Sequence, residues 1–96
     1  MFTFEEIKEK AVPIAKEYGV DELSLFGSYA KNSQNEKSDL DFFILSGKIR
    51  GYFAYFNFVN ALESAFKCHI DVIMDGIEDK EFLNNIKKEK IVLYAK

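Results

Sequence analysis

Three aspartates carry the chemistry that this sequence can do. Asp39 and Asp41 stand in Ser38-Asp39-Leu40-Asp41, and Asp71 interrupts the apolar run Ile70-Asp71-Val72-Ile73. Side chains alternate faces along a strand, so Asp39 and Asp41 project from the same side. Two carboxylates held together repel each other unless cations stand between them. Hard divalent ions such as Mg²⁺ are captured in this way beside a nucleoside triphosphate. Upstream, Gly27-Ser28 closes the apolar run Leu23-Ser24-Leu25-Phe26. Glycine lets backbone approach phosphate oxygens, and a helix N-terminus offers free N–H groups and a favourable dipole. Ser28 adds a hydroxyl donor, and Lys31, about one helical turn on, could reach the same anion. Read together, these residues form a phosphate cradle followed by a metal site, and the chemistry is nucleotide transfer.

Each residue also has a plainer reading. A strand–Gly–Ser–helix junction is a common turn and says little alone. Asp39, at a strand entry, could bond nearby backbone. Asp41 and Asp71 resist such an account, because a carboxylate within an apolar strand needs a partner or an ion. Violations of strand propensity of this kind tend to mark sites. A basic residue such as Lys37 could pair with one aspartate, but not with all three. His69 shares the face of Asp71 if its strand is regular, and its plainer reading is a solvated or core histidine. Cys68 reads as a small buried hydrophobe.

The elements that must position these groups follow from periodicity. Thr3 and Glu6 form a capping-box pair, and Ile7, Ala11, Ile14, Ala15 and Tyr18 recur at helical spacing up to a stop at Gly19. Pro13 removes a backbone donor and predicts a kink or a division of this helix. Leu23 to Phe26 is the first strand, and a short helix starts at Ser28 and runs through Ala30 and Lys31. Asn32 to Lys37 is a polar loop. Leu40 to Leu45 is the second strand, closed by Ser46-Gly47. Gly51 precedes a helix ending near Lys67, and Ile70 to Met74 is the third strand, stopped by Asp75-Gly76. Glu78 to about Lys90 is an amphipathic helix with Phe82, Leu83 and Ile86 on one side, and Ile91 to Tyr94 is a last short strand. The expected fold class is α+β, a small mixed sheet flanked by helices, in a single domain over residues 1–96.

Composition narrows the partners. A chain of 96 residues can bury one core, roughly two-thirds of its unfolded surface. A net charge of −3 argues against a surface built for nucleic acid, though not against a nucleotide neutralised by metal. The single cysteine can form no internal disulfide, and no Cys/His cluster has zinc spacing. No apolar stretch approaches the roughly 18–20 residues of a membrane span, and the N-terminus lacks a signal pattern. A cytoplasmic location is the default expectation. The aromatic stretch Tyr52-Phe53-Ala54-Tyr55-Phe56-Asn57-Phe58 covers more than one helical face, so part of it must be core and the rest is either interface or deeply buried.

The motifs Gly27-Ser28-Tyr29-Ala30-Lys31, Ser38-Asp39-Leu40-Asp41 and Ile70-Asp71-Val72 resemble the signature of the minimal nucleotidyltransferases, a small branch of the DNA polymerase beta superfamily. The ending Glu89-Lys90-Ile91-Val92-Leu93-Tyr94 is similar to the usual tail of that group. One position departs: Asn32 stands where the family commonly has Gly, and Asn tolerates a left-handed backbone better than most residues. The resemblance implies a polymerase beta palm-like fold. It also implies that Asp39 and Asp41 hold two Mg²⁺ ions, with Mn²⁺ as a substitute. Asp71 would complete the second metal site and help take the proton from the attacking hydroxyl. Gly27, Ser28, Lys31 and Ser38 would hold the nucleotide, with ATP as substrate.

The same resemblance implies an antitoxin that transfers AMP to a tyrosine of a helical HEPN-type toxin. The sequence leaves the oligomeric state open, a homodimer included, and the missing apolar span argues against a membrane partner. Two alternatives stand beside it. One is a non-catalytic module that neutralises its partner by occlusion. The other is a subunit of an aminoglycoside-type nucleotidyltransferase that relies on a second domain or subunit for its acceptor pocket.

Overall fold

The computed structural model describes residues 2–27, 40–76 and 79–96. Within them the chain runs α1 (Phe4–Tyr18), β1 (Glu22–Phe26), β2 (Leu40–Leu45), α2 (Gly51–Phe66), β3 (Ile70–Met74), α3 (Lys80–Glu89) and β4 (Ile91–Ala95). The strands form one sheet in the order β3-β2-β1-β4. β1 pairs antiparallel with both β2 and β4, whereas β2 and β3 are parallel. Parallel neighbours cannot be joined by a hairpin, and α2 is the crossover that returns the chain. The sheet is therefore mixed and flanked by helices, as the sequence predicts.

Local signals set the boundaries of α1. Glu6 N–H donates to Thr3 Oγ1 at 3.1 Å, and Thr3 N–H donates to Glu6 Oε1 at 3.2 Å, a complete capping box. Gly19 ends the helix in the left-handed region, with φ 75°. Of the two outcomes expected at Pro13, a division does not occur: α1 is continuous through it. Pro13 and Glu9 both lie on the exposed side, so the carbonyl that loses its helical donor faces water. α3 is capped by Asp79, which accepts from Phe82 N–H at 3.0 Å, and the expected start at Glu78 lies outside the described residues. The expected short helix from Ser28 and the loop from Asn32 to Lys37 lie outside the described residues.

Strand alternation divides the sheet into two faces. Leu23, Leu25, Leu40, Phe42, Ile44, Ile70, Val72 and Leu93 join the core against Ile7, Ala11 and Ala15 of α1 and Phe58, Leu62 and Phe66 of α2. The other face carries Ser24, Asp41, Phe43 and Asp71. Part of this second face is closed as well. Lys90, at the end of α3, lies over the Phe43 ring at 5.5 Å and pairs with Glu22, which also accepts from Ser24 Oγ at 3.3 Å.

β3 is an edge strand, and α2 satisfies part of its outer rim. Tyr55 O–H donates to Val72 C=O at 2.8 Å, and Glu63 Oε2 accepts from Ile70 N–H at 3.5 Å. Unpaired edge groups template unwanted strand pairing, so these two side chains also protect the sheet.

Candidate active site

Asp41 and Asp71 are register partners on neighbouring parallel strands. Residues opposite each other in this way have their side chains on the same face, here the face turned away from α1 and α2. Asp41 is half-buried and Asp71 is exposed. On the other side, β2 pairs with β1 so that Phe26 lies opposite Asp41, and the chain leaves β1 directly into Gly27. Gly27 has φ 76°, and a Cβ on it would stand 2.4 Å from Asp41 Oδ2. Only glycine leaves this carboxylate its place. The end of β1 and the starts of β2 and β3 thus bring Gly27, Asp41 and Asp71 to one corner of the sheet.

Of the residues singled out in the sequence, Ser28, Lys31, Ser38 and Asp39 lie outside the described residues. Among the described residues, no group of three His, Cys, Asp or Glu side chains could hold a metal ion. The donors that are described, two carboxylates on one face, are the hard oxygen type that Mg²⁺ takes. The missing Cβ at Gly27 leaves the Asp41 carboxylate its place, so the donor types described fit such an ion.

Further side chains gather on this side of β3. His69 Nε2 is 2.9 Å from Asp71 Oδ1, so His69 does share its face. His69 Nδ1 is 3.6 Å from Glu63 Oε2. The Tyr55 hydroxyl is held above its ordinary pKa, first by burial and then by the negative charge of Asp71. Beside this group a cavity of about 550 Å³ opens between the start of α2 and the end of β3, lined by Tyr52, Tyr55, Val72, Ile73 and Met74. The sequence contained a signal for Glu63, which is the lone charge in the otherwise uncharged helix Gly51–Phe66. It contained none for Tyr55, one aromatic among several.

Helices packed on a four-stranded mixed sheet, with paired carboxylates beside a glycine turn at its edge, define the nucleotidyltransferase class. The chain belongs to the family described as Polymerase beta, Nucleotidyltransferase, whose pattern matches residues 9–96. Two proteins of Methanocaldococcus jannaschii, both provisionally named protein adenylyltransferases, are similar. One is 37% identical over 68 residues, covering 71% of this chain and 73% of its own length. The other is 30% identical over 96 residues, covering 96% and 98%.

Among solved structures, a toxin–antitoxin complex with AMP-PNP has a TM-score of 0.80 at 19% identity, covering 93% of this chain and 73% of the other. A tri-AMPylated Shewanella oneidensis HEPN toxin in complex with its MNT antitoxin has a TM-score of 0.74 at 16% identity, covering 96% and 72%. At these identities the likeness concerns the fold.

Proposed function

We propose that this chain transfers AMP from ATP to a hydroxyl, that of a tyrosine on a helical HEPN-type toxin, and so acts as an antitoxin. The observation that carries the reading is the register of Asp41 with Asp71 on the face reached from Gly27. The provisional names of the relatives support the choice of a protein acceptor, and the complexes among the structural neighbours support the choice of a toxin.

In this scheme Asp39, Asp41 and Asp71 hold divalent metal, Mg²⁺ or Mn²⁺. Bound metal supplies the positive charge that stabilises the attacking and leaving oxygens of an in-line displacement. Gly27 gives its backbone to the triphosphate, joined by Ser28, Lys31 and Ser38. Asp71 takes the proton of the acceptor hydroxyl as its oxygen bonds to the α-phosphorus. The bond from that phosphorus to pyrophosphate breaks.

The toxin seats on the first half of α2. The aromatic helix is core at Phe58, Leu62 and Phe66 but exposed at Tyr52, Phe53 and Phe56. Exposed apolar patches of this kind mark partner surfaces. No helix among the described residues is long and apolar enough to cross a membrane, and the proposed setting is the cytoplasm.

The test is co-expression with a HEPN-type partner followed by intact-mass measurement of both chains. Addition of AMP to the partner, absent with Asp41→Ala, is the expected result. Full neutralisation of the partner with no mass change would replace catalysis with occlusion.

A further inference from the structure

Asp71 contacts His69, and His69 in turn lies near Glu63, two side chains that the proposed reaction does not use. His69 Nε2 lies 2.9 Å from Asp71 Oδ1, and a carboxylate oxygen only accepts, so this nitrogen carries the proton. Glu63 Oε2 stands 3.6 Å from the other ring nitrogen and also accepts from Ile70 N–H. One carboxylate on α2 therefore stands beside the imidazole and accepts from the backbone immediately before Asp71. Stability does not explain the arrangement. The His69 and Asp71 side chains are 61% and 50% exposed, and exposed pairs contribute little to folding. Nor does the core need a charge at this point of α2, since the buried residues of that helix are Phe58, Leu62 and Phe66.

We propose that His69, backed by Glu63, is the positioning residue for Asp71. Donation from Nε2 fixes the rotation of the Asp71 carboxylate and commits Oδ1, which leaves the metal and proton chemistry to Oδ2. The two neighbours thereby act on the reaction through Asp71 without touching substrate. This inference rests on the nucleotidyltransferase reading above. Partners that orient a ligating carboxylate are commonly worth 10–100-fold in metal affinity or activity.

The experiment is titration of the intact chain with Mn²⁺ in the presence of AMP-PNP, read by electron paramagnetic resonance, beside thermal unfolding of the metal-free protein. His69→Ala should weaken Mn²⁺ binding roughly 10-fold or more. His69→Gln, which restores an N–H near the Nε2 position, should recover most of it, and Glu63→Gln should show a smaller loss. The unfolding midpoint of metal-free His69→Ala should stay near that of the native chain. Unchanged Mn²⁺ affinity in His69→Ala, or an equal loss in His69→Gln, would overturn the assignment. Failure of the native chain to bind Mn²⁺ with AMP-PNP, or native-like binding by Asp41→Ala, would instead sink the parent reading and this one with it.

Discussion

A methyl group at Gly27 would meet Asp41 Oδ2 at 2.4 Å, on a backbone whose φ of 76° L-residues avoid. The left-handed conformation alone costs about 1–2 kcal/mol with a Cβ present. The Asp41 carboxylate would also have to rotate out of its place beside Asp71. Gly27→Ala should therefore lower stability by about that amount, measured by urea unfolding, while nucleotide transfer falls much further, to background in a labelled-ATP assay. Asp41→Ala separates binding from folding. Metal with ATP at 100 times its dissociation constant should stabilise the native chain by about 2.7 kcal/mol. The variant should lose this gain in a melting experiment. Its ligand-free form should be at least as stable as the native chain, because one of two adjacent negative charges has gone.

At the scale of elements, the decisive relation is between α2 and the edge strand β3. Tyr55 contributes through its hydroxyl, which satisfies Val72 C=O at 2.8 Å. Its raised pKa, from burial first and Asp71 second, makes that contribution depend on pH. A tyrosine whose folded pKa exceeds its unfolded value of 10.0 stabilises the fold fully below that value. The stabilisation is lost as pH rises through the higher folded pKa, because burial first, and the Asp71 carboxylate second, penalise the phenolate. Tyr55→Phe should cost about 1 kcal/mol at neutral pH, from the abandoned carbonyl. It should also remove part of the alkaline loss of stability above pH 10, so that the curves of native and variant chains converge there in denaturant titrations at successive pH values.

Taken as a whole, the molecule presents an uneven surface. Phe53 is 89% and Tyr52 is 80% exposed, with the Tyr52 and Phe56 rings stacked at 6.0 Å beside an apolar cavity. Phe53 packs on little of its own chain, so Phe53→Ser should change folding stability by no more than about 0.5 kcal/mol. If the proposed partner seats here, the same substitution should weaken the complex by about 2 kcal/mol or more, the scale of an aromatic hot spot, in a calorimetric titration. Unchanged affinity would move the interface elsewhere on the chain.

The sequence alone determined the order of the described elements and singled out Asp41 and Asp71 within apolar strands, because both depend on local physics. Thr3 with Glu6 and the glycine at 19 bound α1 through contacts a few residues apart. Asp41 and Asp71 were conspicuous because a carboxylate within an apolar strand needs a partner or an ion wherever that strand ends up. The sequence left open whether Pro13 divides α1, since the cost of a lost helical donor depends on whether its carbonyl faces water, and packing settles that. Four questions belonged to the tertiary structure alone: that β2 and β3 pair in a register placing Asp41 against Asp71, that Gly27 returns to within a methyl group of Asp41, that Glu63 and Tyr55 reach across from α2 to the edge of β3, and that the aromatic helix is core at one end and bare at the other. Each joins residues far apart in the chain, and the packing of α2 on the sheet and the pairing of the strands bring them together.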